Sequence, residues 1–156
     1  MHVLGIRRNP QKDFEYIDEM GSRDDLNRFI PQADYIVAVL PRTPETEHFL
    51  DEEHFQMMKP DVIIVNAGRG CHIDETVLIK ALHSKQIRGA GLDTFETEPL
   101  PEKSLFWGMD NVIISPHCAG GSKNYNQKAI NIFIDNLRRF INNEPLQNVV
   151  DKYLAY

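Results

Sequence analysis

Three times between residues 62 and 117 a short apolar run ends abruptly in a reactive polar residue, and this repetition constrains the fold more than any other feature of the chain. The run VIIV at 62–65 leads into Asn66, Ala67, Gly68, Arg69 and Gly70. AGL at 90–92 leads into Asp93 and on to Glu98, and VII at 112–114 leads into Ser115, Pro116 and His117. Apolar runs of this length, bounded by turn chemistry, suit strands buried on both faces, and open α/β sheets bind ligands at the carboxyl ends of such strands. Arg69, Glu98 and His117 are therefore expected to converge on one rim.

Between the apolar runs the period changes to that of helices. A strand at 3–6 is expected to exit at Arg7 and Arg8, followed by a short helix capped by Ser22, with Asp24 and Asp25 in its first turn, running to Phe29 and closed by Pro31. A second strand at 35–40 exits through Pro41, Arg42, Thr43 and Pro44. Helices at 51–58 and 74–84 are opened by Asp51 and Asp74, each with a hydrophobic staple, Leu50 with Phe55 and Ile73 with Leu78. After Ile114 one long helix is expected over 123–142, its apolar face carrying Tyr125, Ala129, Ile132, Phe133, Leu137, Phe140 and Ile141. Strands alternating with helical crossovers imply a parallel sheet with right-handed connections, a doubly wound α/β fold.

Composition narrows the class. A chain of 156 residues that is 42% hydrophobic fills about one domain core. A formal charge of −6, with no Lys/Arg run longer than a pair, argues against nucleic acid or an anionic membrane as partner. Cys71 and Cys118 have no metal-ligand spacing, and His48, His54 and His83 lack a second ligand at such spacing, so no metal is expected. Without a signal peptide or a spanning apolar run, the chain is expected to be cytoplasmic.

The ordered stretches LPRTPET at 40–46, MKP at 58–60, NAGRG at 66–70, LDTFETEPLP at 92–101 and SPH at 115–117 resemble the D-2-hydroxyacid dehydrogenases, in unbroken order from residue 1 to about residue 145. That resemblance implies hydride transfer between a nicotinamide and C2 of a small 2-oxo or 2-hydroxy acid. His117 would be the acid/base, Glu98 would orient its ring and stabilise its protonated form, and Arg69 would hold the substrate carboxylate and polarise the carbonyl. It further implies cofactor contacts from Leu40, Pro41, Thr43, Thr46, Asn66, Ala67, Gly68, Asp93, His117 and Ala119. Asp93 has a second reading, as a turn former closing its strand. His72 and Trp107 are read as packing or rim residues.

Cofactor choice rests on Arg7 and Arg8. An NAD-binding strand exit usually carries an acid for the ribose hydroxyls, and this exit has none, so NADP is favoured, with NAD possible. Arg42 stands where the family often has an apolar residue; either it adds to the same phosphate site or it is solvated. None of the nine glycines forms G-x-G-x-x-G. The family's pattern places that loop, and most of its substrate domain, before residue 1. Residues 1–145 are thus expected to be a partial dinucleotide-binding domain, incomplete for want of the first strand, and 146–156 a tail toward the absent domain. The run 3–6 should then either pair directly with 35–40 or fray and leave 35–40 as a sheet edge.

The function expected is that of a D-2-hydroxyacid dehydrogenase, inactive as this chain alone and homodimeric in the full-length protein. Two alternatives stand beside it: a nucleotide-gated interaction protein of co-repressor type, and a non-functional remnant.

Overall fold

The computed structural model describes residues 1–10 and 14–153. Its centre is a four-stranded all-parallel sheet in the order β3-β4-β5-β6: β3, Tyr35–Ala38; β4, Ile63–Asn66; β5, Gly89–Leu92; β6, Val112–Ile114. The register places Ile36, Ile64, Ala90 and Val112 in one row, and Ala38, Asn66, Leu92 and Ile114 in the next row on the same face. Both rows meet the core. Ile64 is fully buried, and Ala90 and Leu92 nearly so, against Phe55, Leu78, Leu82, Ile87 and Phe106. The opposite face is open at its edges, where Tyr35, Val37 and Ile113 are exposed.

The helices form where local signals place them. Ser22 accepts from the Asp24 N–H and closes a capping box with Asp25, starting a 3₁₀ turn that passes into α1, Leu26–Phe29. Pro31 does not close this segment as expected. It lies in a second 3₁₀ turn, Ile30–Gln32, where its missing N–H has no intrahelical partner to lose. Asp51 caps α2, Glu52–Met57, and Asp74 caps α3, Glu75–His83, each accepting from two backbone N–H groups of its first turn. Leu50, Phe55, Ile73 and Leu78 are buried as the staples require.

The first strand departs from both expected outcomes. β1, Leu4–Ile6, neither frays nor joins β3; it pairs in parallel with β2, Glu19–Gly21, a strand that sequence reading missed. Its sequence, Glu-Met-Gly, lacks the β-branched run that marks a strand, and β1 supplies the order instead. β3 is then left as the edge of the larger sheet, the one part of the second expectation that the fold keeps. α4, Tyr125–Ile141, forms within its expected bounds, yet none of its residues is buried, and Phe133, Phe140 and Ile141 are at least two-thirds exposed. The tail folds back on it through Asn136 and Gln147, which exchange two hydrogen bonds. The last three residues of the tail lie outside the described residues.

Candidate active site

The exit of β4 is built to aim a guanidinium. The Asn66 carboxamide donates to the Arg69 carbonyl at 2.9 Å and accepts from the Gly68 N–H at 3.2 Å, bridging the turn from below. Ala67 N–H donates to the Ala38 carbonyl of β3. At Gly70 a Cβ would come within 1.9 Å of the Phe95 carbonyl carbon, so only glycine lets this turn approach the β5 exit. His72 is fully buried. Its Nδ1 accepts from the Arg69 N–H at 3.1 Å, which makes Nε2 the protonated nitrogen, donating to the Pro41 carbonyl at 3.3 Å. Burial holds this imidazole below the usual histidine range, in its neutral form. One ring thus ties the Arg69 turn to the β3 exit, a role no local sequence signal announces.

The β6 exit is held by Asp93. Its side chain is buried, with Oδ1 accepting from Ser115 Oγ at 2.5 Å and from the Cys118 N–H at 2.9 Å, and Oδ2 from the Ala119 N–H at 2.8 Å. The Ser115 hydrogen bond, with the two backbone donors, holds this carboxyl at about 2. Between those anchors His117 takes a left-handed conformation, φ 51°, sparsely populated by non-glycine residues and characteristic of strained functional sites. Its Nδ1 lies 2.8 Å from Glu98 Oε2, while Glu98 Oε1 accepts from the Phe95 N–H at 3.0 Å. The His117 hydrogen bond keeps the Glu98 carboxyl below its ordinary value. The Glu98–Pro99 peptide is cis.

Arg69, Glu98 and His117 line one open cavity of about 560 Å³. Its other walls include Arg42, Glu47, His48, Cys71 and Glu96, which sequence reading did not place there. Arg42 pairs with Glu47 at 3.2 Å and His48 with Glu96 at 3.3 Å. Arg69 is different: among the described residues it makes no ion pair, its Nη1 donating only to the Gly68 carbonyl at 2.7 Å. A guanidinium without a carboxylate, facing an imidazole braced by one, can hold an anion beside a proton donor. Burial pushes the Cys71 thiol up, so it offers no thiolate.

The β1 exit lies elsewhere. Arg8 pairs with Glu45, and Arg7 stacks over Phe14 at 5.2 Å. Arg42, on the cavity lined by Arg69 and His117, does not share that ion pair. The β3 exit, from Leu40 onward, is knotted by Thr46, whose hydroxyl donates to the Pro41 carbonyl at 2.7 Å and accepts from the Thr43 N–H at 2.9 Å, with Thr43 buried. Among the described residues Thr94 Oγ1, between Asp93 and Phe95, is the buried side-chain polar atom without a partner. No group of side chains there could hold a metal ion, and no helix is long and apolar enough to cross a membrane.

Comparison with known proteins points to one family. A model of the "D-isomer specific 2-hydroxyacid dehydrogenase, NAD binding domain" matches residues 1–119. Glyoxylate/hydroxypyruvate reductase B of Cronobacter sakazakii is 39% identical over 127 residues, 81% of this chain and 39% of its own. D-3-phosphoglycerate dehydrogenase of Methanocaldococcus jannaschii is 35% identical over 153 residues, 97% of this chain and 29% of its own. Among solved structures, a D-isomer specific 2-hydroxyacid dehydrogenase from Xanthobacter autotrophicus in complex with NADPH and MES superposes with a TM-score of 0.91 at 36% identity, covering 99% of this chain and 62% of that one. An NADPH-dependent glyoxylate/hydroxypyruvate reductase from Sinorhizobium meliloti in complex with NADP and sulfate gives 0.90 at 32%, covering 99% and 49%. The chain spans less than half the length of these two curated relatives.

Proposed function

The chain belongs to the D-isomer specific 2-hydroxyacid dehydrogenases, and from that premise we propose that it supplies the acid/base pair, the carboxylate clamp and most of the nucleotide site of an NADP-preferring 2-oxo acid reductase. The observation that carries this reading is the 2.8 Å contact between His117 Nδ1 and Glu98 Oε2 on the same cavity as Arg69, which makes no ion pair among the described residues. With Nδ1 taken by the carboxylate, the ring's Nε2 is left to serve the substrate oxygen.

The nucleotide, when bound, supplies the hydride. Arg69 holds the substrate carboxylate through its planar fork, fixing C2 of a small 2-oxo acid beside His117. As C2 accepts hydride, His117 gives the Nε2 proton to the carbonyl oxygen, and Glu98 offsets the charge of the protonated ring beforehand. In the reverse direction the same nitrogen removes the hydroxyl proton. Asp93 has both oxygens engaged by the 115–119 segment, so we place it as a positioning residue for His117. For the cofactor, the β1 exit carries two arginines, Arg7 and Arg8, and side chains of that charge suit a 2′-phosphate. Leu40, Pro41, Thr43, Thr46, Asn66, Ala67, Gly68 and Ala119, with Arg7 and Arg8, are the residues we assign to nucleotide contact. The relatives solved in complex with NADPH or NADP support the preference. The exposed apolar stripe of α4 supports a homodimer for the whole protein.

The experiment is NADPH oxidation by the whole protein against a panel that includes glyoxylate and hydroxypyruvate. The expected result is turnover that His117→Ala abolishes while NADPH affinity is nearly unchanged. Full turnover in that variant sinks the proposal.

A further inference from the structure

Glu45 belongs to the loop between β3 and α2, far in sequence from the strand whose exit it reaches. Its carboxylate pairs with Arg8, and its backbone carbonyl accepts from Arg23 Nη1 at 2.8 Å. Arg23 is itself braced over the Phe49 ring at 5.3 Å. Two arginines from separate segments, one after β1 and one after β2, therefore meet at a single residue. The sequence offers no acid at the β1 exit; the fold brings one there.

This changes what the exit can recognise. At such an exit a carboxylate accepts hydrogen bonds from ribose hydroxyls, and arginines suit a 2′-phosphate. Here both kinds of group occupy the same place, and they are paired to each other. An incoming 2′-phosphate must take Arg8 from Glu45 and then sits beside a displaced carboxylate, whose like charge opposes it. An incoming 2′-hydroxyl has Glu45 as a ready acceptor.

Resting on the nucleotide-binding reading above, we propose that Glu45 is the residue that sets cofactor selectivity. It makes the site accept both NAD(H) and NADP(H) and limits the preference for the phosphorylated form. Arg23, with Arg8, completes the phosphate clamp once Glu45 moves aside.

The test uses titration calorimetry of the chain with two probes, 2′,5′-ADP and 5′-ADP, in wild type, Glu45→Gln and Arg23→Gln. Glu45 is 65% exposed and Arg23 lies on the surface, so both variants keep the fold, which circular dichroism checks. Wild type is expected to bind both probes. Glu45→Gln is expected to move the affinity ratio about tenfold toward 2′,5′-ADP, the size of one charge-assisted hydrogen bond. Arg23→Gln is expected to weaken 2′,5′-ADP about threefold and leave 5′-ADP unchanged. If both probes bind and Glu45→Gln leaves their ratio where it was, the assignment of Glu45 is overturned and the nucleotide site stands. If wild type binds neither at millimolar concentration, the nucleotide reading falls and this inference falls with it.

Discussion

Asp93 Oδ1 accepts the Ser115 hydroxyl at 2.5 Å across two neighbouring strand exits, and this pairing fixes the segment from which His117 projects. The imidazole is exposed; the carboxylate that positions its segment is not. The rim that carries His117 and Glu98 is therefore anchored one layer beneath its exposed side chains.

Replacing Asp93 by Asn removes the charge that three donors share and turns one oxygen into a donor facing the Ala119 or Cys118 N–H. The expected loss is about 1–3 kcal/mol of stability, read from chemical denaturation. Ser115→Ala, losing one bond, should cost less, about 1 kcal/mol. Equal losses would mean that the backbone donors contribute nothing.

Asp93 also predicts an acid limb. Its folded value of about 2 lies below the ordinary carboxylate value, so the native state binds this proton later than the unfolded chain does. The stabilisation is complete above about pH 4 and is lost as pH falls toward 2. Glu98, held low by His117, acts in the same direction. A denaturation series across this range in wild type and Asp93→Asn should show the acid limb shallower in the variant.

His72 titrates in a different window. Burial depresses its value, so its contribution is full above about pH 6.5 and declines as pH falls further, because the folded state resists the second ring proton. Protonated Nδ1 could no longer accept from the Arg69 N–H. Stability measured between about pH 7 and 5 should fall more steeply in wild type than in His72→Gln. A parallel slope in both would remove His72 from the account.

Gly70→Ala should be among the most damaging single changes, since its Cβ would lie 1.9 Å from the Phe95 carbonyl carbon and backbone must move. About 2 kcal/mol or more is expected, as for other changes that force a special backbone position. Loss of anion binding at Arg69 should accompany it. Thermal melting and a titration with oxalate, read by NMR, check both effects.

Kinetics of the whole protein separate the three rim residues. Loss of Arg69 should cost about 10²–10³ in rate, as for other removed charge-stabilising donors. Glu98→Gln should cost about 10–10² while His117→Ala removes turnover, because the first leaves the proton donor present and only loosens it. Substrate affinity should fall in the Arg69 variant and hold in the His117 variant.

What the chain's letters disclose follows the range of the interactions. Asp51 and Asp74 cap helices through donors two and three residues away, so their work can be read in place. The rim of Arg69, Glu98 and His117 is legible too, because each lies within six residues of the end of an apolar strand and parallel strands share a carboxyl end. Asp93 is harder. Its donors lie 22 to 26 residues on, and the sequence leaves it between a nicotinamide contact and a turn former. His72 and Glu45 act on Pro41 and Arg8, 31 and 37 residues distant, and nothing near either residue signals the partner. β2 is hidden for the opposite reason: Glu19–Gly21 has no strand character of its own and borrows it from β1.

α4 buries no side chain, so tertiary packing adds little to its hydrogen-bond ladder. A helix of 17 residues in that position is held by propensity and a few side-chain pairs, such as Arg139 with Asp135 at 2.9 Å, which leaves it marginal in water. It therefore opens as a unit of its own: its amides should trade protons for deuterons long before those of β4 and β5, and heating should melt it in a gradual slope ahead of the cooperative transition of the sheet.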